Sequence, residues 1–354
     1  MKALQISTFG NPEDVAELVE LPEPSAPGAG EVLVAVEYAP INPSELLMIR
    51  GHYGVRPPLP SGLGQEGVGR VLSVGDEVDG LKAGDRVLLP FSNQAWRERL
   101  VVPASHLFPL PQAADPQQLS MLGVNPPTAA LLLSEFVDLG PGDWVIQNAG
   151  NSGVGRSVIA FARERGLKTV SLVRREELVE ERTAAGGDVV LVDGPDVPAR
   201  VAEATDKAEI RLALDGVAGE SMASLSGSLS PGGTLVAYAG MSGKPGLANP
   251  LHIIFRNITV RGFWLAYPHV RDSPKIPEAI QAGARLIAEG RLRVPVAATY
   301  PLTAAREALA RAQQGGKVLF KPSWAGARTD TKDDRHRQRE WKGSEEGPRR
   351  CTES

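Results

Sequence analysis

The chain has 354 residues, which is enough for two domains rather than one. Its formal net charge of −4 gives no electrostatic case for binding nucleic acid, and no run of about 18 apolar residues predicts a membrane span. The single cysteine, Cys351, excludes an internal disulfide. Because no signal or transit peptide is recognised at the N-terminus, we expect a cytoplasmic location.

The first 118 residues predict a small β-barrel. Strand-like runs such as EVLVAVEYA (31–39) and KAGDRVLLP (82–90) are short and are separated by turns rich in Gly and Asp. Closely spaced short strands with turn signals are typical of barrels. A long helical period is absent from this part of the sequence.

From Trp144 the pattern changes to strands that alternate with helices. WVIQNA (144–149) reads as a buried strand, and GVGRSVIAFARERG (153–166) reads as an amphipathic helix. The alternation continues to Leu265, and it requires right-handed crossovers and a doubly wound parallel sheet. The predicted fold class is therefore α/β, with a Rossmann cofactor domain inserted into a barrel domain.

The predicted boundaries follow from these changes of pattern. The barrel domain is expected at 1–118 and 266–324, and the inserted cofactor domain at 119–265. Residues 325–354 carry many charges of both signs and few aliphatic side chains. Such a segment buries too little apolar surface to offset its ordering entropy, so we expect a disordered tail.

The strongest local motif is NAGNSGVG (148–155), which follows a strand and opens a helix. Small residues let the backbone approach a pyrophosphate, and the helix N-terminus offers free N–H groups. Ser152 stands where the usual Gly-x-Gly-x-x-Gly has its second glycine, and its hydroxyl can itself donate to phosphate. The motif predicts a dinucleotide site formed by Gly150, Asn151, Ser152, Gly153, Val154 and Gly155.

Two arginines end the second strand of this domain. Arg174 follows Gly155 by 19 positions, where an acidic residue would bind NAD ribose and an arginine accommodates a 2′-phosphate. Arg174 and Arg175 therefore favour NADPH as cofactor. The alternative interpretation is a solvated start to the next helix, and Glu176 would repel a phosphate if it pointed inward.

No metal site is predicted. Asn42 and Gln65 stand where zinc enzymes of similar layout have Cys and His, and no cysteine cluster offers a structural zinc site.

The sequence resembles the medium-chain dehydrogenase/reductases, which combine a GroES-like barrel with a Rossmann domain. Within them it is similar to the zinc-free trans-2-enoyl-thioester reductases of the mitochondrial and bacterial type, and quinone reductases are near neighbours. The likeness covers about residues 1–322. It is carried by the motifs APINPSELLMIRGHYGVRPPLP, MLGVNPPTAALLL, VIQNAGNSGVG, AYAGMSGKP and VRGFWL.

The resemblance implies that Tyr53 is the proton donor. It also implies cofactor contacts beyond the Gly-rich turn and the arginine pair, made by Asn125, Thr128, Tyr238, Ala239, Gly240, Met241, Phe263, Trp264, Leu265 and Lys317. Two departures weaken the match: Arg174-Arg175-Glu176 replaces Arg-Asp-Arg, and Ala239 replaces a glycine. From the residues alone, Tyr53 could equally be a loop aromatic that packs a turn.

The resemblance predicts NADPH-dependent reduction of an enoyl thioester, carried by CoA or by acyl-carrier protein. Asn42, Trp96 and Phe255 are expected to contact this small-molecule substrate, and Phe263 and Trp264 are further candidates for the pocket of the acyl chain. The apolar strand in NITVRGFWLAY predicts an exposed sheet edge, and with the resemblance it implies a homodimer. Two alternatives stay open: an NADPH quinone or enone reductase, and a weakly catalytic NADPH-binding sensor or structural protein.

Overall fold

The computed structural model describes residues 1–92 and 94–323. The tail expected at 325–354 and its Cys351 lie outside the described residues. The strands are β1 (Lys2–Ile6), β2 (Ala16–Glu20), β3 (Glu31–Ile41), β4 (Ser61–Gly62), β5 (Val68–Val74), β6 (Arg86–Leu88), β7 (Arg99–Pro103), β8 (Phe108–Pro109), β9 (Trp144–Gln147), β10 (Lys168–Val173), β11 (Val189–Val192), β12 (Ile210–Asp215), β13 (Thr234–Ala237), β14 (Thr259–Gly262), β15 (Val296–Tyr300) and β16 (Lys317–Phe320).

The helices connect these strands, together with short 3₁₀ turns at Ala104–His106 and Leu302–Ala304. None of the helices in the described ranges is both long and apolar enough to cross a membrane. The helices are α1 (Pro12–Val15), α2 (Pro43–Ile49), α3 (Pro116–Leu119), α4 (Asn125–Ser134), α5 (Gly153–Glu164), α6 (Glu177–Ala184), α7 (Val197–Ala204), α8 (Gly219–Ser228), α9 (Pro250–Arg256), α10 (Pro268–Arg271), α11 (Lys275–Ala288) and α12 (Ala305–Gln313).

The barrel part contains two sheets. The smaller has the order β2-β1-β4, and the larger has the order β15-β16-β3-β5-β6-β8 with β7 paired to β3. The long strand β3 is the common partner, because it pairs antiparallel with β5, β7 and β16. Side chains from both sheets share one core, which includes the fully buried Ile6, Val34 and Phe320.

The cofactor part is a six-stranded sheet with the order β11-β10-β9-β12-β13-β14, and all of its pairings are parallel. Numbered from β9, this is the order 3-2-1-4-5-6 of the dinucleotide-binding fold. Two adjacent residues of the central strand β9 show how this sheet is buried on both faces. Val145 packs in one helical layer and Ile146 in the layer on the opposite face, so both faces of the strand are buried and apolar residues are needed on each. The predicted α/β class is confirmed.

We expected the barrel domain to resume directly after Leu265, but the segment that follows packs against both domains. Leu286 of α11 belongs to the apolar core around α4 and β9, which is part of the cofactor domain. Ile280 and Ala284 of the same helix pack with Leu88 of the barrel strand β6. Helix α11 therefore lies between the two domains, and barrel strands resume only at β15.

Candidate active site

Tyr53 lies in the turn that follows α2, and its hydroxyl joins the two domains. The turn is tight, with Gly51 at a φ of 72°, a left-handed value that favours glycine. The Tyr53 hydroxyl accepts a hydrogen bond of 2.8 Å from Nε1 of Trp264, a residue that comes just after β14. The two rings meet edge to face, with centroids 5.6 Å apart. Since the hydroxyl accepts this bond, its own proton is left to donate elsewhere.

The environment of Tyr53 keeps its phenol protonated. Partial burial raises the pKa of Tyr53 above its usual value, and the nearby Glu45 charge adds to the increase. Hydrogen bonds with the Trp264 and Gln65 side chains lower the pKa of Tyr53, but the net pKa stays above its usual value. A half-buried phenol that stays neutral near pH 7 can act as a hydrogen-bond donor or a proton donor.

A buried polar cluster of Asn42, Glu45, Gln65, Glu66 and Lys317 lies beneath this turn. Asn42 is its centre, because its Oδ1 accepts from the Lys317 ammonium at 2.5 Å and its Nδ2 donates to Glu66 at 2.9 Å. Glu45 accepts from the backbone N–H groups of Asn42 and Gln65 at 2.9 and 3.1 Å. Both glutamates are fully buried.

The cluster places two carboxyl groups and one ammonium in a region that excludes water. Burial raises the pKa of Glu66 to about 7, against the opposing charge of Lys317 and the hydrogen bond from Asn42. Burial also raises the pKa of Glu45. It lowers the pKa of Lys317, and the charges of Glu66 and Glu45 oppose that decrease in part. Sequence analysis missed the two acidic partners of Lys317, since Glu45 and Glu66 carry no local signal.

No metal-binding group of three His, Cys, Asp or Glu side chains is found within residues 1–92 and 94–323. At Asn42 and Gln65, the structure has amides engaged in hydrogen bonds: Asn42 binds Lys317, and Oε1 of Gln65 accepts from Ser44 at 2.6 Å. Positive charge is supplied here by an ammonium group.

The Gly-rich turn joins β9 to α5, as the motif predicts. Ser152 is the N-cap of α5, and its hydroxyl oxygen accepts from the Gly155 N–H at 3.0 Å. Gly155 is required by packing, because a Cβ there would lie 2.5 Å from the carbonyl oxygen of Ala149. A Cβ on Gly153 would lie 2.6 Å from Nδ2 of Asn125. The turn therefore lies close against the start of α4.

Two buried polar atoms beside this turn have no hydrogen-bond partner among the described residues. They are Nδ2 of Asn125 and the hydroxyl of Tyr238, which follows β13. Unpaired buried polar atoms are costly, and they are expected where a polar ligand completes the bonding. Thr128 lies buried one turn further along α4. These residues fit a nicotinamide cofactor at the carboxyl edge of the parallel sheet.

A second network at this edge was not expected from the sequence. Nδ2 of Asn148 donates to Asp215 at 2.6 Å, and its Oδ1 accepts from the Gly216 N–H at 2.7 Å. Asp215 is fully buried and also accepts from the N–H groups of Val217 and Ala218. The network holds the end of β9 against the loop that follows β12.

The remaining predicted cofactor residues lie at several places on the same sheet. Arg174 and Arg175 are exposed directly after β10, and Arg175 forms an ion pair of 2.9 Å with Glu177. Ala239, Gly240 and Met241 are exposed in the loop after β13. Phe263 is buried after β14, where its ring meets that of Phe136, and Leu265 packs against the same core.

The three residues expected to contact the substrate have other contacts in this structure. Trp96 is a barrel core residue, because its side chain is fully buried, packs on Phe320 and donates Nε1–H to the Pro40 carbonyl. Phe255 is 78% exposed on α9, a helix that the sequence did not predict. Asn42 uses its amide to hold Lys317 and Glu66 within the buried polar cluster. The aromatic residue next to Tyr53 is Trp264, whose ring also contacts that of Tyr267.

Two parts of the chain match known protein families. Residues 28–112 match the alcohol dehydrogenase GroES-like domain, and residues 153–285 match the zinc-binding dehydrogenase family. The chain therefore belongs to the medium-chain dehydrogenase/reductases. The mitochondrial enoyl-[acyl-carrier-protein] reductase of Rattus norvegicus is 39% identical over 87% of this chain and 84% of its own length. The chain is a member of this zinc-free enoyl reductase family.

Solved structures agree with this assignment. The Etr1p/NADP/crotonyl-CoA complex superposes with a TM-score of 0.82 at 25% identity, covering 90% of this chain and 99% of that chain. The 2-enoyl thioester reductase Etr1p/Etr2p heterodimer from Candida tropicalis gives 0.80 at 26% identity over the same shares. An NADPH:quinone reductase from Bacillus thuringiensis, described as a candidate of that class, gives 0.79 at 28% identity, covering 91% and 99%.

The expected cytoplasmic location is wrong by these comparisons. The rat relative is a mitochondrial enzyme by name, and so are the corresponding relatives of Mus musculus and Homo sapiens.

Proposed function

We propose that this protein reduces the C2=C3 double bond of trans-2-enoyl thioesters with NADPH. The observation that carries the proposal is the Tyr53 hydroxyl at the junction of the two domains. It accepts from Trp264 and keeps its own proton to donate. The family membership and the buried cluster around Lys317 support the same function.

The residues that would hold the cofactor line the carboxyl edge of the sheet. Gly150, Gly153 and Gly155 let the pyrophosphate approach the start of α5, and the unpaired Nδ2 of Asn125 offers a free donor beside it. Arg174 would bind the 2′-phosphate that distinguishes NADPH from NADH. When bound, NADPH supplies the hydride that is added to Cβ of the substrate.

Tyr53 has two tasks in this reaction. As Cβ gains hydride, negative charge moves onto the thioester oxygen, and a preorganised donor stabilises that charge. The Tyr53 hydroxyl can donate to this oxygen and can transfer its proton to Cα. The Trp264 N–H holds the phenol oxygen in place during either event and stabilises the charge left on it.

The acyl chain needs an apolar wall next to Tyr53. Trp264 and Tyr267 supply it, since their rings meet edge to face with centroids 5.1 Å apart. Clefts between domains are common sites for small substrates. An enoyl group presented by CoA or by acyl-carrier protein reaches the same wall, so both carriers are candidates.

The alternative enzymatic function is quinone or enone reduction, which the quinone reductase structure favours. Oxidation of NADPH should be followed with crotonyl-CoA, with crotonyl-acyl-carrier protein and with 1,2-naphthoquinone. Turnover of the thioesters supports the proposed function. Turnover of the quinone alone supports the alternative, and no turnover with any of them supports a cofactor-binding sensor or structural protein.

We also propose that the chain forms a homodimer through the edge of the cofactor sheet. All four residues of β14 are exposed, and Val260 is at the open edge. The neighbouring helix α9 exposes Leu251, Ile254 and Phe255. Pairing of β14 with a second β14 about a two-fold axis would complete the sheet and cover this helix.

Light scattering tests the dimer. The parent protein should have twice the chain mass of 37.6 kDa at micromolar concentration. Ile254→Glu should shift it toward the single-chain mass, because it places a charge in the apolar interface. Leu18→Glu, at an exposed leucine of β2, is the matched control and should leave the mass unchanged. A single-chain mass for the parent protein would refute the proposal.

A further inference from the structure

A cavity of about 610 Å³ lies between α5, α6 and the segment that follows α11, up to the start of β15. We call it the arginine cavity, because Arg156, Arg163, Arg182, Arg291 and Arg293 line it. None of the residues predicted to bind cofactor or substrate is among its lining residues. Its volume is in the range of small-molecule sites, which is roughly 300–1,000 Å³.

The charges in the arginine cavity do not balance. Glu181 is the one acidic residue of the lining, and both Arg156 and Arg182 bind the same carboxylate oxygen, at 2.9 and 2.8 Å. The side chains of these two arginines are only 8% and 4% exposed. Two buried guanidinium groups thus share one carboxylate, and an uncompensated buried cation is costly.

Further donors in the arginine cavity are free. Nε of Arg182 is buried and has no hydrogen-bond partner in the part of the chain that the structure describes. Arg163 and Arg293 form no ion pair within the described ranges, whereas Arg291 is engaged by Glu164 and Glu289. Burial and the neighbouring Arg156 charge lower the pKa of Arg182, and the Glu181 carboxylate opposes this only in part.

We propose that the arginine cavity binds a small organic phosphate. Guanidinium groups present paired donors that match the oxygens of a phosphate, and several of them converge here. The rest of the wall is apolar, with Ala160, Leu286 and Pro295, so it suits a compact non-polar body attached to the phosphate. The phosphate would supply the negative charge that Glu181 alone does not provide.

The site is connected to the cofactor turn. Nε of Arg156 donates to the carbonyl oxygen of Asn151 at 2.9 Å, within the Gly-rich turn. A ligand that binds Arg156 therefore acts on a side chain that also holds this turn. Binding must be tested with the cofactor site filled, so that a phosphate probe cannot report on the pyrophosphate site.

Isothermal titration of phenyl phosphate into the full chain saturated with NADP⁺ tests the proposal. We expect one site per chain, with at least tenfold tighter binding than inorganic phosphate because of the apolar wall. The double variant Arg163→Ala, Arg293→Ala should weaken binding by at least tenfold, since it removes two charged hydrogen-bond donors from the site. Both side chains are exposed, so the variant should keep its fold.

Arg306→Ala is the matched control, because Arg306 is an exposed arginine of α12 paired with Asp14 and is not part of the lining. It should bind phenyl phosphate as the parent does. Absence of binding at millimolar phenyl phosphate would overturn the proposal. Equal affinity of the parent and the double variant, or of phenyl phosphate and inorganic phosphate, would also contradict it.

Discussion

Replacement of Tyr53 by phenylalanine removes the hydroxyl and keeps the ring that packs on Trp264. The ring contact at 5.6 Å is therefore retained, and only the Trp264 N–H loses its acceptor. Trp264 is half-buried, so water can replace that bond, and the cost to stability should be about 1 kcal/mol or less. We expect a folded protein with an altered reaction step.

The effect on turnover should be much larger than the effect on stability. General acid groups commonly contribute about 10²–10⁴ in rate, so kcat with crotonyl-CoA should fall at least about a hundredfold. A hundredfold loss corresponds to about 2.7 kcal/mol in the barrier. The hydroxyl acts on charge that exists only in the transition state, so the affinity for NADPH should be almost unchanged.

The assay combines steady-state NADPH oxidation with a fluorescence titration of NADPH binding. Tyr38→Phe is the control, because Tyr38 is a half-buried tyrosine of β3 outside the site. It should leave kcat near the parent value. Unchanged thioester turnover in Tyr53→Phe would make Tyr53 a packing residue, and a large loss of NADPH affinity would make it a cofactor-positioning residue.

Three further results are expected. The parent enzyme should prefer NADPH to NADH by about tenfold to a hundredfold, and Arg174→Ala should remove most of that preference. The control Arg211→Ala, at an arginine of β12 that pairs with Asp143, should keep it. Equal kcat/KM with both cofactors in the parent would contradict this prediction. Thioester reduction should survive dialysis against EDTA with well under one zinc per chain, and a stoichiometric zinc required for turnover would show that the site is misread. The pKa of Glu66 is raised to about 7 in the folded protein, above its pKa in the unfolded chain. The contribution of Glu66 to stability is therefore fully present below the unfolded pKa, and it is lost as the pH rises through 7. Between pH 5 and pH 8 the parent should lose about 2–3 kcal/mol of stability that Glu66→Gln does not lose, so its Tm should fall by several degrees more than that of the variant. Parallel pH profiles of Tm in the two proteins would refute the assignment.

The cofactor domain could be predicted from the sequence because its signals are local. Buried parallel strands are rich in apolar and β-branched residues, and KTVSLV coincides with β10 from Lys168 to Val173. The Gly-rich turn is equally local, since Ser152 caps α5 with a bond to a residue three positions away. Helix α9 was missed because it has only seven residues, which is too short for a helical period to be distinguished.

The catalytic side could be predicted less well because its contacts are distant in sequence. Lys317 meets Asn42 across 275 positions, and Tyr53 meets Trp264 across 211. Neither pairing has a local pattern, so the sequence did not indicate that Asn42 bonds Lys317, and Glu66 was overlooked. Trp96 shows the same limit, because only the fold reveals that the Pro40 carbonyl satisfies its indole.

The position of β16 has a consequence for synthesis of the chain. This strand lies between β15 and β3, and it pairs Val318 with Ile41, so one side of β3 stays open until almost the whole chain has been translated. Until Lys317 arrives, Glu45 and Glu66 have no ammonium partner, and burial of both carboxylates is unfavourable. Closure of the nascent barrel around its polar centre is therefore less favourable while the chain is incomplete. A ribosome that stalls after the cofactor domain would hold a folded nucleotide-binding sheet attached to an unfinished barrel, which is a natural substrate for chaperones and proteases.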